Sequence, residues 1–285
     1  ALSITLDSPI KLTQSASQQP SRPKIEKLIL LERLPDGEVR FQSNLNPDQT
    51  LRTPAQMITA ERDISGNLTE KLLLESPKAL IDQTRNQLIA DGPGAVQIYR
   101  KSNAKNAAPG LEIIGSSTNP VTGLTYVHTK FQKQLLAHLE TNELSIFGNL
   151  RSVYANVPDA KQAYDPDNNI PLPAGAVRLY CDRIDFIRAT NPLSPKPQSE
   201  FVATGSVKVF SQNFESDSDR ISFRNDTEIL KVEGKNGRNI WLTSRSQPGA
   251  PWQKFTGKGF DYNVRTKTAA GNNVNRISAA FNKRP

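Results

Sequence analysis

Residues 201–234 read FVATGSVKVFSQNFESDSDRISFRNDTEILKVEG. Phe201, Ala203, Gly205, Val207 and Val209 fall on every second position, with Val202, Thr204, Ser206 and Lys208 between them. A period of two is the signature of an extended strand with one face turned inward. Ile221 and Phe223 share a face further on, and so do Leu230 and Val232 before Gly234. Polar turn residues separate the runs. The stretch therefore predicts strand, turn, strand, turn, strand, with no residue set between them that performs chemistry.

The same phrase recurs on both sides. DGPGAVQIYR (91–100) places Val96 and Ile98 on one face, with Gln97 and Tyr99 on the other. LSIFGNLRSVYANV (144–157) carries Ile146, VRLYCDRIDF (177–186) alternates, Ile240 pairs with Leu242, and Phe260, Tyr262 and Val264 share a face. The segment 130–140 has a spacing open to an amphipathic helix, but its turn-rich flanks favour a strand. Units of two or three strands over roughly 30 to 50 residues, written about five times, must stack, because one unit cannot bury its own apolar face.

A closed barrel and an open folded-over sheet both satisfy this pattern. Short strands and a hydrophobic content of only 36% favour the second. The expected fold class is all-β: a stacked, open β-jelly roll built from irregular strand repeats. Shared parity assigns Val96, Ile98, Ile146, Val207, Val209, Ile221, Phe223, Leu230, Val232, Ile240 and Leu242 to one continuous apolar interior. The opposite face holds Tyr99, Tyr180, Phe210 and Trp241, which calls for a cover of loops or a partner. Phe260, Tyr262 and Val264 are the expected final edge strand, and IEKLILL (25–31) an early one. The organisation expected is an N-terminal arm with first strands (1–55), a first β-repeat half (56–164), a proline-rich connection (165–176), a second half (177–270) and a C-terminal tail (271–285).

The chain has 285 residues, a formal charge of +8, 20 prolines, 16 glycines and a single cysteine. The basic excess suits an acidic partner, lipid phosphate or nucleic acid, yet it is spread along the chain without a dense block. One cysteine excludes an internal disulfide. No run of 18 apolar residues exists to cross a membrane as a helix. The opening ALSITLDSP fits a chain whose targeting segment has been removed, and decides nothing about compartment.

No catalytic set emerges. His128 and His138 lie outside any metal-binding spacing, and His128 is expected at the surface beside Tyr126. Cys181 reads as a buried structural residue. ESDSDR (215–220) lacks the glycine and twelfth-position glutamate of a calcium loop and reads as a solvated connection. Asp182 and Asp185 are strand positions without acid–base geometry, and no glycine turn matches a phosphate loop. Neither an enzyme activity nor a metal nor a cofactor is expected. Interleaved basic and aromatic residues, Tyr99-Arg100-Lys101, Lys208-Val209-Phe210 and Arg238 to Trp241, leave single-stranded nucleic acid as an alternative partner without a supporting motif.

Residues 201–234 resemble the repeat of OstA-like lipopolysaccharide-transport proteins. Ala203, Gly205, Val207 and Val209 match its A-x-G-x-V-x-V strand; Asp219, Ile221 and Phe223 match the second strand; Leu230, Val232 and Gly234 match the closing L-x-V-x-G. Segments near 80–99 and 140–190 follow the same rhythm. The resemblance implies an open jelly roll whose apolar groove passes lipopolysaccharide or a related acylated glycolipid, in the periplasm or at the periplasmic face of the outer membrane. It also implies association with further copies or partner jelly rolls through edge strands. A structural β-scaffold is the competing reading.

Overall fold

The computed structural model describes residues 24–28, 32–33, 39–42 and 55–281 except 64, 83–84, 102–122, 139, 142, 169–170, 190–197, 225–226, 228, 246–248, 264–267 and 272–274. Among these the chain is built from strands: β1 Lys24–Leu28, β2 Glu32–Arg33, β3 Val39–Gln42, β4 Ala55–Arg62, β5 Leu68–Ser76, β6 Lys78–Asp82 and β7 Gln87–Asp91. Then come β8 Gly94–Lys101, β9 Leu124–Phe131, β10 Gln134–His138, β11 Glu143–Val157, β12 Val177–Ala189, β13 Gln198–Ser211 and β14 Phe214–Arg224. The series closes with β15 Ile229–Glu233, β16 Ile240–Ser244, β17 Trp252–Gly257, β18 Gly259–Asn263, β19 Thr268–Ala270 and β20 Asn275–Phe281. The helical content of the described residues is one 3-10 turn, Lys235–Gly237. Residues 130–138 are strand on both sides of a bend at Gln132 and Lys133, as the flanks of the segment predict.

All pairings are antiparallel and join into one sheet folded over on itself. The fold is the expected open, all-β jelly roll. One wall, A, runs β1–β4–β5–β8–β9 and continues through half of each of β11, β12, β13 and β14 to β16, β17 and β20. The other wall, B, runs β2–β3–β6–β7–β10, takes the remaining halves of β11 to β14, and ends β15–β18–β19. The four long strands therefore belong to both walls and bend between them, forming a spine.

Two kinds of bend make the spine. In β11 and β13 a glycine is followed by a second residue of positive φ: Gly148 (+89°) with Asn149 (+46°), and Gly205 (+81°) with Ser206 (+46°). Two residues are spent on the bend, so inward parity is kept: Ile146 and Leu150, Ala203 and Val207 all point inward. In β12 and β14 the inward residues change parity instead, from Cys181 to Ile184 and from Ser218 to Ile221, so these bends add one unpaired position as a bulge does. Glycine is required at position 205, because a Cβ there would lie 2.6 Å from the Cβ of Asp182.

The bend of β14 corrects the reading of ESDSDR. That stretch is strand, with Ser216 and Ser218 buried inward and the acids outward. Asp219 accepts a hydrogen bond from the Lys235 backbone N–H at 2.7 Å, and Arg238 bridges Asp217 and Asp219. Small hydroxyls on the inner face conceal the period of two that larger apolar residues would announce.

The segment between β11 and β12 lies over the outer face of wall A as a strap, and β11 and β12 themselves pair side by side beneath it. Tyr126 donates its hydroxyl to the Tyr164 carbonyl at 3.2 Å, and His128 Nδ1 lies 2.9 Å from the same oxygen. Lys130 pairs with Asp165 and Asp167, and Arg151 with Asp167. Tyr99, Tyr126, Ala155, Val157 and Ala176 form a separate buried cluster with Tyr164 and Leu172 packed on it. The strap supplies the cover that Tyr99 needs. It also moves His128 from the expected surface to 8% exposure.

Burial lowers the pKa of His128, against smaller opposing effects of the Tyr164 carbonyl and of Asp165 and Glu75. An unfolded histidine takes up its proton near pH ~6.5, so between that pH and the lower folded value the unfolded chain binds more protons and stability falls. His128→Gln can still donate to the Tyr164 carbonyl but does not titrate. Melting curves between pH 7 and 5 should show the wild type losing more stability than this variant; identical profiles would contradict a neutral, strapped His128.

The described part of the expected early edge, 25–28, lies in β1, the outermost strand of wall A, whereas the C-terminal edge of wall B lies one strand beyond the expected place. β18 pairs with β15 through Phe260 and Tyr262, and its other side is taken by β19, so both residues are interior to wall B. Val264 falls outside the described residues. Wall A ends on β20, which pairs with β17. At the N-terminal end β1 is paired to β4, and β2 to β3.

Candidate functional site

The inner face of wall B is a pair of ladders running strand to strand. Nearest the spine, register neighbours are Ala79, Ala90, Leu135, Ile146, Ile184, Ala203, Ile221, Val232 and Phe260. One step toward the open side follow Ile81, Leu88, Ala137, Leu144, Phe186, Phe201, Phe223, Leu230 and Tyr262. Nothing polar interrupts either ladder until the hydroxyl of Tyr262. The facing ladder of wall A differs: Leu74, Val96, Thr129, Ser152, Leu179, Val209, Ser216, Leu242 and Phe255.

The eleven residues assigned to the interior by parity lie on these inner faces. Val96, Ile146, Val207, Val209, Ile221, Phe223, Leu230, Val232, Ile240 and Leu242 are buried in one cluster, and Ile98 packs against it half-buried. The opposite parity points outward, with Phe210 36% exposed. Sequence reasoning missed Leu135, Leu179, Ile184, Phe201 and Ala203 as members, although Phe201 and Ala203 carry the same alternation. It missed Ser216 and Ser218 altogether.

Side chains fill the space between the walls. Phe214 of wall A meets Tyr262 of wall B with ring centroids 5.6 Å apart, and Phe255 meets Phe260 at 6.4 Å. Connections between strands are distributed unequally around this interior. The chain crosses from wall to wall at the spine, through the bends of β11 to β14 and the short links β5–β6, β7–β8, β9–β10, β15–β16 and β17–β18. On the opposite side, the mouth, the hairpins β4–β5, β6–β7, β10–β11, β12–β13, β13–β14 and β16–β17 each return within their own wall. No covalent link among these holds the mouth shut. Arg224 and Arg245 stand at its rim, at the end of β14 and just after β16, and Arg245 stacks on Trp252 at 4.6 Å.

Polar groups inside are handled in two ways. Thr129 and Ser152 satisfy each other at 2.8 Å. Ser216 and Ser218 have buried hydroxyls with no hydrogen-bond partner. Leaving such a group unpaired costs about 1–3 kcal/mol. Cys181 is buried, and burial pushes its thiol well above the ordinary range, which keeps it protonated and unreactive.

The outer face of wall A offers a second, shallower feature. Tyr180 and Phe210 meet edge to face at 5.9 Å beside Arg151, Arg178 and Lys208, around a concavity of about 600 Å³. Its cations are partly committed: Arg151 to Asp167 and Arg178 to the Asn168 carbonyl. Acids interleave with the aromatics of this face, Asp217 lying between Lys208 and Trp241, and Glu215 between Phe210 and Thr243. Tyr99 is under the strap. A run of stacked bases finds no continuous aromatic platform here.

Among the described residues no group of three or more His, Cys, Asp or Glu side chains could hold a metal ion. Comparison with protein-family models, with curated proteins and with solved structures returned no match.

Proposed function

We propose that this protein is an OstA-like transport module that binds lipopolysaccharide or a related acylated glycolipid between its walls and passes it along them, without catalysing a reaction. The periplasm, or the periplasmic face of the outer membrane, is the compartment this reading requires. One observation carries it: the continuous apolar inner face of wall B, closed over by wall A, between walls that the described residues join along the spine while leaving the mouth without a covalent tie. Acyl chains can take the place of wall-to-wall contacts when the mouth parts, and each methylene removed from water contributes about 0.8 kcal/mol. Arginines at the rim suit phosphates on the head group. The terminal strands β19 and β20 would carry backbone pairing to another jelly roll.

The test is equilibrium binding of purified lipopolysaccharide against a fluorescent single-stranded oligonucleotide. The reading predicts lipid binding that survives moderate salt and is lost on deacylation of the lipid. Oligonucleotide binding that collapses with salt would favour nucleic acid instead. Binding of neither would leave a β-scaffold.

A further inference from the structure

The two unpartnered hydroxyls of β14 point to a particular kind of acyl chain. Ser216 and Ser218 sit on the inner face of wall A, fully buried, with no hydrogen-bond partner for either oxygen. Their register neighbours are apolar: Val209 and Leu242 flank Ser216, and Val207 flanks Ser218. The same wall satisfies its other interior hydroxyl pair internally, Thr129 with Ser152. At β14, then, the fold leaves two donors aimed into an apolar space, where an alanine or valine would cost nothing in hydrogen bonding.

Their depth is defined. β14 enters from the mouth at Phe214, so Ser216 lies about 7 Å and Ser218 about 14 Å inward along the strand. Ser218 is the last paired position before the bend of β14, so the two serines span the interior from near the mouth to the spine. A lipid seated with its head group at the mouth brings oxygens near the head group level with Ser216, and oxygens carried further along its chains level with Ser218. We propose that Ser216 and Ser218 form a hydrogen-bonding rung that recognises oxygen-bearing acyl chains, the serine hydroxyls donating to carbonyl or hydroxyl oxygens carried by those chains. This inference rests on the lipid-binding reading and deepens it: the interior is selective for acylated glycolipid over unmodified hydrocarbon.

The test compares wild type with the double variant Ser216→Ala/Ser218→Ala, using two probes. Lipopolysaccharide carries ester and amide oxygens; diphenylhexatriene is a hydrocarbon fluorophore with none. Expected for the variant are a higher melting temperature without ligand, an affinity for lipopolysaccharide about tenfold weaker, and diphenylhexatriene binding unchanged within about twofold, as loss of two modest hydrogen bonds implies. Unchanged lipopolysaccharide affinity, or equal loss for both probes, overturns the rung while leaving lipid binding in place. A wild-type protein that binds neither probe overturns the rung and the transport reading together.

Discussion

Gly205→Ala should destabilise the protein by about 3 kcal/mol or more, whereas Gly66→Ala should cost only about 1–2 kcal/mol. The two glycines have the same φ, +81°, so the intrinsic penalty of a left-handed alanine is shared. They differ in surroundings. Nothing lies within 4 Å of a Cβ built on Gly66, in the β4–β5 turn, while one on Gly205 meets Asp182 at the spine. The bend of β13 is packed against the bend of β12, and neither can move without loosening both walls. For a chain of this size these costs correspond to a fall in melting temperature of roughly 6–12 °C for the spine variant and roughly 2–8 °C for the turn variant. Equal effects at the two sites would mean that the spine is not the hinge line of the fold.

The second large effect concerns the mouth. Phe214 and Tyr262 face each other across it, one on each wall. Phe214→Cys/Tyr262→Cys treated with a short bismaleimide would tie the walls together at the point where they must part. Lipopolysaccharide affinity should fall at least tenfold relative to the same variant blocked with N-ethylmaleimide. Both arms carry identical substitutions, so loss of the aromatic contact cancels between them. Both arms also carry Cys181→Ser, so that the two introduced thiols are the ones that react. Equal binding by tied and untied protein would show that lipid reaches the protein elsewhere.

Much of the fold was legible where side chains are large. Val207 and Val209 announced their face because Lys208 stands between them, and the two-residue bend at Gly205 and Ser206 kept Phe201 and Ala203 on the same parity. Legibility failed where the inner face is small or polar. Ser216 and Ser218 look like loop residues, and the one-residue slip at the bend of β14 moves the inward set to Ile221 and Phe223. Burial of His128 was illegible for another reason: its cover is a proline-rich strap from residues 30 and more positions downstream, held by backbone carbonyls and ion pairs with no periodicity. The edge was misplaced by one strand because β19 is three residues long, too short to show alternation. The resemblance of 201–234 to the OstA-like repeat concerns the residues that bend and line the walls, which is why it implied the fold readily and the ligand only by analogy.

The central claim is that acyl chains occupy the space between the walls, and photocrosslinking from adjacent positions of opposite parity tests it most directly. A photoreactive residue replacing Val209 or Leu230, whose side chains are wholly buried in the interior, should crosslink to lipopolysaccharide. The same residue replacing Phe210 or Lys231, one position along on the outer faces, should not. Crosslinks that follow this inward parity on both walls are the predicted result. Crosslinks from Phe210 and Lys231 with none from Val209 and Leu230, or no lipid captured from any of the four, would contradict the account.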